Sequence, residues 1–275
     1  MGVAASRLGG LDGVRLARPV VRTAQGLVGG IAFCALWQLL ADRHFVLAVY
    51  FPTATTTLRS SFFLLGHRDF WVAIRDTLHA MLEGLAISIL IAVPAGVAVG
   101  RSDHVYRITR TVIELLRPIS AVALAPLAIL VFKTGIKPTI FLVVWTSVWP
   151  ILVNTIYGMR DLDPVAYDTA RSFGFGRLAI LFRVALPNAA SYVVTGVRIA
   201  ISIALAVAIA GEIVAGGGQG IGGWIGKESA SGSLVPVYAA AVIVGAIGYL
   251  INRLLELVEQ RALHWHESLR TEHGR

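Results

Sequence analysis

The sequence predicts an all-α integral membrane protein with about six transmembrane helices, and three observations lead there. Of its 275 residues, 56% are hydrophobic and 15% charged, and the mean hydropathy is +0.73; a soluble domain carries about 25% charged residues. Several apolar stretches reach the roughly 20 residues that a helix rising ~1.5 Å per residue needs to cross a ~30 Å hydrocarbon layer. The basic residues recur between those stretches instead of gathering in one patch. A net charge of +8 distributed in this way sets topology against membrane lipid and argues against a nucleic-acid surface.

The segments follow in order. Residues 1–23 form a basic tail; MGVAAS fits the short myristoylation pattern, but a multi-span chain needs no lipid anchor. Span one covers 24–41, and the ADRHFV after it lacks a small-x-small cleavage pattern, so it is expected to stay uncleaved. Its Cys34 is the single cysteine, which excludes an intrachain disulfide and suits packing. The connection 42–76 contains FPTATTTLRSSFFLL, expected as a short amphipathic helix near the outer surface. Span two (77–100) holds Glu83 and Pro94, and span three (111–132) holds Pro118 and Pro126. Spans four to six cover 138–158, 190–213 and 236–257, and a basic tail, 258–275, ends the chain. Together 24–257 make one transmembrane domain. The prolines fit either kinks that line a pathway or plain bends.

Fourteen Lys and Arg lie in 1–23, 101–110, 159–189 and 258–275, against seven in the alternate connections. The positive-inside rule then puts both termini in the cytoplasm. The run AGGGQGIGGWIGKES, 215–229, is no phosphate loop. Ile221 stands where a P-loop needs its first glycine, and Glu228 where the lysine needs a following Ser or Thr. It is expected as a flexible or re-entrant outer loop, with nucleotide chemistry left to another chain.

The segment 159–189 is the exception to this oily pattern. Asp163-Pro164 is a helix start, with Asp163 as cap and Pro164 in the first turn. Val165, Ala166, Thr169, Ala170 and Phe173 share one face; Asp168, Arg171 and Ser172 share the other, Asp168 and Arg171 within pairing distance. Gly174 suits a left-handed cap. Leu178, Leu181, Phe182 and Ala185 make a second stripe that Pro187 is expected to close. From amphipathicity, two readings stay open: an elbow lying at the headgroups, or a knob that inserts into a groove on a partner.

The spacing of this segment resembles the EAA loop of bacterial ABC-importer permeases. Asp168-Thr169-Ala170, three residues, Gly174, nine residues and Val184-Ala185-Leu186-Pro187 follow that pattern, with Asp for Glu, Thr for Ala and Val for Ile. The likeness runs from about 75 to 265. LLRPISAVALAPLAILVFKTGIKP, WPILVNTIYGMRDLDP and VTGVRIAISIALAVAIAGEIVAGGGQGIGGWI are similar to the nitrate, sulfonate, taurine and bicarbonate branch, although Ser120 stands where that branch shows a second proline. The resemblance implies a type I ABC importer permease in a bacterial inner membrane. It implies a second permease chain, as a homodimer, two cytoplasmic ABC ATPase subunits carrying Mg-ATP, and an extracytoplasmic solute-binding protein. This chain itself would be non-catalytic and cofactor-free. Asp163, Asp168, Thr169, Ala170, Arg171, Ser172, Gly174 and Arg177 would form the ATPase-docking coupling helix and its flanks.

Polar residues inside spans are costly and face protein or water. Glu83 fits a pathway lining or a local pairing, and Glu212, at the outer end of span five, is the gate candidate. Glu114 and Arg117 are expected to pair with each other. Ser147, Asn154 and Ser202 fit solute contacts or interhelical bonds, and Trp145 with Trp149 fits a hydrophobic gate or packing. No metal site is expected, including at His264 and His266. The rival reading, an ion-coupled secondary transporter, asks for repeated halves and an intramembrane relay, and leaves 159–189 without a role.

Overall fold

A computed structural model describes residues 11–43, 50–133, 135–216 and 219–262. The first ten residues and the tail with His264 and His266 lie outside the described residues. The described chain is built from helices α1 (Leu11–Asp42), α2 (Ala54–Leu65), α3 (Arg68–Gly100), α4 (Asp103–Leu116), α5 (Ala125–Phe132) and α6 (Lys137–Arg160). They are followed by α7 (Pro164–Ser172), α8 (Arg177–Ile180), α9 (Leu186–Ala215), α10 (Gly220–Ala230) and α11 (Leu234–Ala262). Among the described residues, four stretches are long and apolar enough to cross a membrane: Arg68–Gly100, Lys137–Arg160, Arg177–Ala215 and Leu234–Leu257. They match expected spans two, four, five and six. Val28–Asp42 in α1 is a shorter apolar helix at the place of span one.

Span three is not one helix. It breaks into α4, a 3-10 turn at Val122–Leu124, and α5. Pro118 has no N–H to offer the Glu114 carbonyl, so the ladder ends with the Arg117 N–H on Ile113. The helix restarts with Pro126 in the first turn of α5, where a missing N–H costs nothing. The Trp145 indole N–H, 3.3 Å from the Ile119 carbonyl, satisfies part of the break. Glu114 pairs with Arg110 at 2.6 Å rather than with Arg117, because i,i+4 neighbours on the intact helix meet more readily than residues across its end.

The stop expected at Pro187 does not occur either. The helix beginning at Arg177 passes through a π turn, Leu181–Ala185, and runs on to Ala215. The wider register just before Pro187 absorbs the hydrogen bond that proline cannot donate. From Gly220 onward the glycine run is a helix, where a flexible or re-entrant loop was the expectation. Its first turn, Gly220, Ile221, Gly222 and Gly223, is buried in a packed helix, α10.

The core is α6 held between α3 and α9. Small residues recur every fourth position on both flanking helices: Gly84, Ser88, Ala92, Gly96 and Gly100 on α3, and Gly196, Ala200, Ala204 and Ala208 on α9, all buried. Spacing by four lines them on one ridge, and the lack of side chain lets backbones close on the larger residues of α6. A Cβ at Gly84 would sit 2.6 Å from Val143, one at Gly96 2.6 Å from Thr155, and one at Gly211 2.6 Å from Leu142. Buried hydroxyls in this seam fold back on their own helices, as Ser88 does to the Gly84 carbonyl at 2.7 Å and Thr155 to that of Ile151 at 2.7 Å.

Candidate functional site

The 159–189 segment sits at one end of the bundle. Asp163 caps α7 as expected, its Oδ1 accepting the Val165 N–H at 2.9 Å. At the other end of α7 the Phe175 N–H bonds the Ala170 carbonyl and the Gly174 N–H bonds that of Arg171. Gly174 has φ of +79°. This is the paired 6→1 and 5→2 closure that a left-handed glycine makes possible. Only Ala170 of α7 is buried. Val165, Tyr167, Phe173, Phe175, Leu178 and Phe182 are exposed, Phe173 by 78%. Asp168, Thr169, Arg171, Ser172 and Arg177 are exposed beside them. No ion pair joins Asp168 to Arg171 among the described contacts. Their charges are left facing outward within an apolar rim.

Below this exposed helix three elements are tied at their ends. Arg160, the last residue of α6, reaches Asp103 of α4 at 2.7 Å, and its guanidinium lies 4.2 Å from the ring centre of Tyr106. Asn188 donates to the carbonyls of Gly158 and Asp161, at 3.2 and 3.3 Å, and the Tyr192 hydroxyl donates to the Asp161 carboxylate. Met159, Leu181, Ala185 and Ala189 pack beneath them.

The opposite end carries Glu212, 6% exposed. Its carboxylate accepts the Thr77 hydroxyl at 2.7 Å and the Gly222 N–H at 2.9 Å, while the Thr77 oxygen accepts the Ile221 N–H at 2.8 Å. Glu212 and Thr77 thus satisfy two free amides in the first turn of α10, where the helix dipole also favours a negative charge. Gly220 and Gly222 leave the room: a Cβ at Gly220 would fall 2.3 Å from the Glu212 carboxylate. Beside this contact lies a cavity of about 60 Å³ lined by Asp76, Lys133, Thr139, Glu212, Gln219 and Gly220. Lys133, with φ of +63°, is the one non-glycine residue in the left-handed half of backbone space among the described residues.

The other pathway candidates scatter. Glu83 is on an exposed face of α3 with His79 at 3.8 Å, apart from the Glu212 contact. Asn154 bonds its own helix at Pro150, 2.8 Å. Ser202 bonds Arg198 and, at 3.1 Å, Asn252 of α11. Trp145 and Trp149 meet edge to face at 5.5 Å. Ser147 is fully buried, and neither its hydroxyl nor the Trp149 N–H has a hydrogen-bond partner in the described chain. Sequence reasoning missed Thr77, Asp103, Tyr106, Asn188 and Tyr192. Only the Glu212 contact had a readable signal, in the Gly-x-Gly pair at 220 and 222 that gives a carboxylate close access.

Residues 84–264 match the family described as the inner membrane component of binding-protein-dependent transport systems. The chain belongs to this family. Among its relatives, the bicarbonate transport system permease CmpB of Synechococcus elongatus is 29% identical over 243 residues, covering 85% of this chain and 87% of that one. The nitrate import permease NrtB of Leptolyngbya laminosa is 30% identical over 188 residues, 67% of each chain. The taurine permease TauC of Escherichia coli is 24% identical over 254 residues, 90% of this chain and 92% of that one. In structure, the inward-facing MetNI methionine ABC transporter aligns with a TM-score of 0.59 at 18% identity, over 69% of this chain and 94% of that one, which shows a shared fold. This permease is therefore the membrane transport subunit of an ABC importer, in the inner membrane, and works with a binding protein and an ATPase. The EAA-loop resemblance at 168–187 and the branch read from the spans agree with that membership.

Proposed function

We propose that two copies of this permease form the translocation pathway for a small anionic or zwitterionic solute of the bicarbonate, nitrate or taurine type. Two ATPase subunits, each holding Mg-ATP, dock in the cytoplasm at the end carrying α7, with both chain termini on that side. The binding protein delivers solute at the opposite end, near Glu212. The solute class is supported by the three relatives above, whose names give those cargoes.

The observation that carries the docking site is α7 itself. It is a nine-residue helix capped at both ends, with one buried residue and with Val165 and Phe173 more than two-thirds exposed. An amphipathic helix with its apolar side chains held in place yet uncovered fits insertion into a cleft. Asp163 and Gly174 fix its ends, Thr169 and Ala170 allow close approach, and Asp168, Arg171, Ser172 and Arg177 orient the contact. Nucleotide-driven closure of the ATPase pair then shifts the helix, because the two states of the spans bind that pair with different free energies. Glu212 serves as the gate residue of this reading. Glu83, Trp145, Ser147, Trp149, Asn154 and Ser202 line or support the pathway.

Tag-only capture of the permease expressed with its ATPase tests the docking site. The parent chain should retain the ATPase, and Gly174→Arg or Asp168→Lys should lower retention at least tenfold without loss of membrane expression. Retention and coupled transport unchanged in both variants would remove α7 from the docking site.

A further inference from the structure

Building on the docking role proposed for α7, we infer that Arg160 is the positioning residue that carries movement of α7 into the spans, through its ion pair and ring contact with the first turn of α4. The side chains of 163–172 make no hydrogen bond or ion pair to a spanning helix among the described contacts. Apart from the packing of Ala170, α7 is tied to the bundle through the chain at its two ends. On the α6 side that chain is Arg160 and Asp161, two adjacent residues that engage different helices. Asp161 is held by Tyr192 and Asn188 of α9. Arg160 holds Asp103 at 2.7 Å and covers Tyr106 at 4.2 Å, both on α4.

What makes Arg160 the transmitting member is how little else holds α4. None of its residues is buried, and only Tyr106 and Ile113 pack against the core under α3, α6 and α9. The Arg160–Asp103 contact is the one described ion pair between α4 and another helix. Beyond α4 the chain passes the break at 117–120 into α5, which ends at Phe132 beside Lys133 and the cavity next to Glu212. Arg160 thus lies between the docking helix and an element that reaches the opposite end. The pair is also solvent-accessible, with Asp103 77% and Arg160 33% exposed. Exposed ion pairs contribute little to stability. Losing this one should leave the fold and the docked ATPase in place and disturb only what passes between them.

The test uses the permease complexed with its ATPase subunits in lipid vesicles. Cys34→Ser removes the native thiol and Gln219→Cys, at the exposed start of α10, serves as reporter. Maleimide labelling rates are compared with ADP and with MgATP plus vanadate. The parent complex should show a several-fold difference. Arg160→Ala should reduce it below twofold while ATPase retention and basal hydrolysis stay within twofold of the parent. Arg160→Lys, which keeps the charge pair, should recover at least half of the difference. A full nucleotide response in Arg160→Ala overturns the inference, as does a lysine variant no better than alanine. If Arg160→Ala also sheds the ATPase, the residue belongs to the docking surface and the inference fails. A parent permease that never retains the ATPase defeats the docking proposal itself, which the Gly174→Arg comparison reads separately.

Discussion

Thr77→Val isolates the contact that fastens α10. The change keeps volume and branching and removes one hydroxyl, but that hydroxyl donates to the Glu212 carboxylate at 2.7 Å and accepts the Ile221 N–H at 2.8 Å. Thr77 is 1% exposed, so water does not replace either bond. A hydrogen bond to a charged group contributes about 1.5–3 kcal/mol and a neutral one about 1 kcal/mol, which gives roughly 2.5–4 kcal/mol for the pair. Interhelical bonds inside membranes average nearer 0.6 kcal/mol, and a loss that small would place the contact in that weaker class. Thr155→Val is the matched control. It is the same chemical change at a residue with no exposure, yet its hydroxyl only supplements a carbonyl of its own helix at 2.7 Å. Thermal melting of the purified permease should show Thr77→Val lower by several degrees at about 2–4 °C per kcal/mol, with Thr155→Val shifted by less than a third as much. Equal shifts for the two variants would refute the reasoning.

The small-residue seam predicts that Gly96→Ala, whose Cβ would come 2.6 Å from Thr155, destabilises by about 1–3 kcal/mol through overpacking. Gly245→Ala, with nothing within 4 Å, should be neutral or slightly stabilising in the same melt. Gly174→Ala meets no atom but must adopt φ of +79°. It should cost about 1–2 kcal/mol locally, read as weaker ATPase retention with an unchanged melting temperature.

How much of this was legible in the sequence depended on the range of the interaction. Apolar length alone located the four long spans, because each satisfies its backbone bonds within itself whatever it packs against. The α7 caps were equally readable, since Asp163, Pro164 and Gly174 act on neighbours within five residues. Proline misleads twice, in opposite senses. Pro118, of a kind that spans tolerate, ends α4, while Pro187, a stop signal by itself, is absorbed by a π turn at 181–185. Whether a proline breaks or bends a helix depends on what else meets the freed carbonyl, and the sequence does not list those neighbours. The Arg160–Asp103 and Thr77–Glu212 contacts join residues 57 and 135 positions apart, and no local pattern announces such a pair. Glu114 shows the same limit at short range, where Arg110 and Arg117 were both within helical reach and the end of α4 decided between them.

Alongside the route through Arg160, α4 and α5, α9 also runs between the two ends of the permease, and its length sets how far a tilt at one end displaces the other. Asn188 and Tyr192 hold this helix to residues 158 and 161 near one end, and Glu212 holds it to Thr77 and α10 near the other. Residues 188 to 212 span roughly 36 Å at ~1.5 Å per residue. A tilt of about 5° pivoting at Tyr192 would then displace Glu212 by about 3 Å at that rise. Hydrogen bonds of 2.7–2.9 Å do not survive a shift of that size. The Glu212 contact therefore has two states for even a modest tilt of α9, made or broken. Thr77→Val should accordingly do more than lower stability: by weakening the made state it should raise the labelling rate of Gln219→Cys even with ADP. A labelling rate that stays at the parent value while the melting temperature falls would show that α9 and α10 move as one body, and that the opening at this end lies elsewhere.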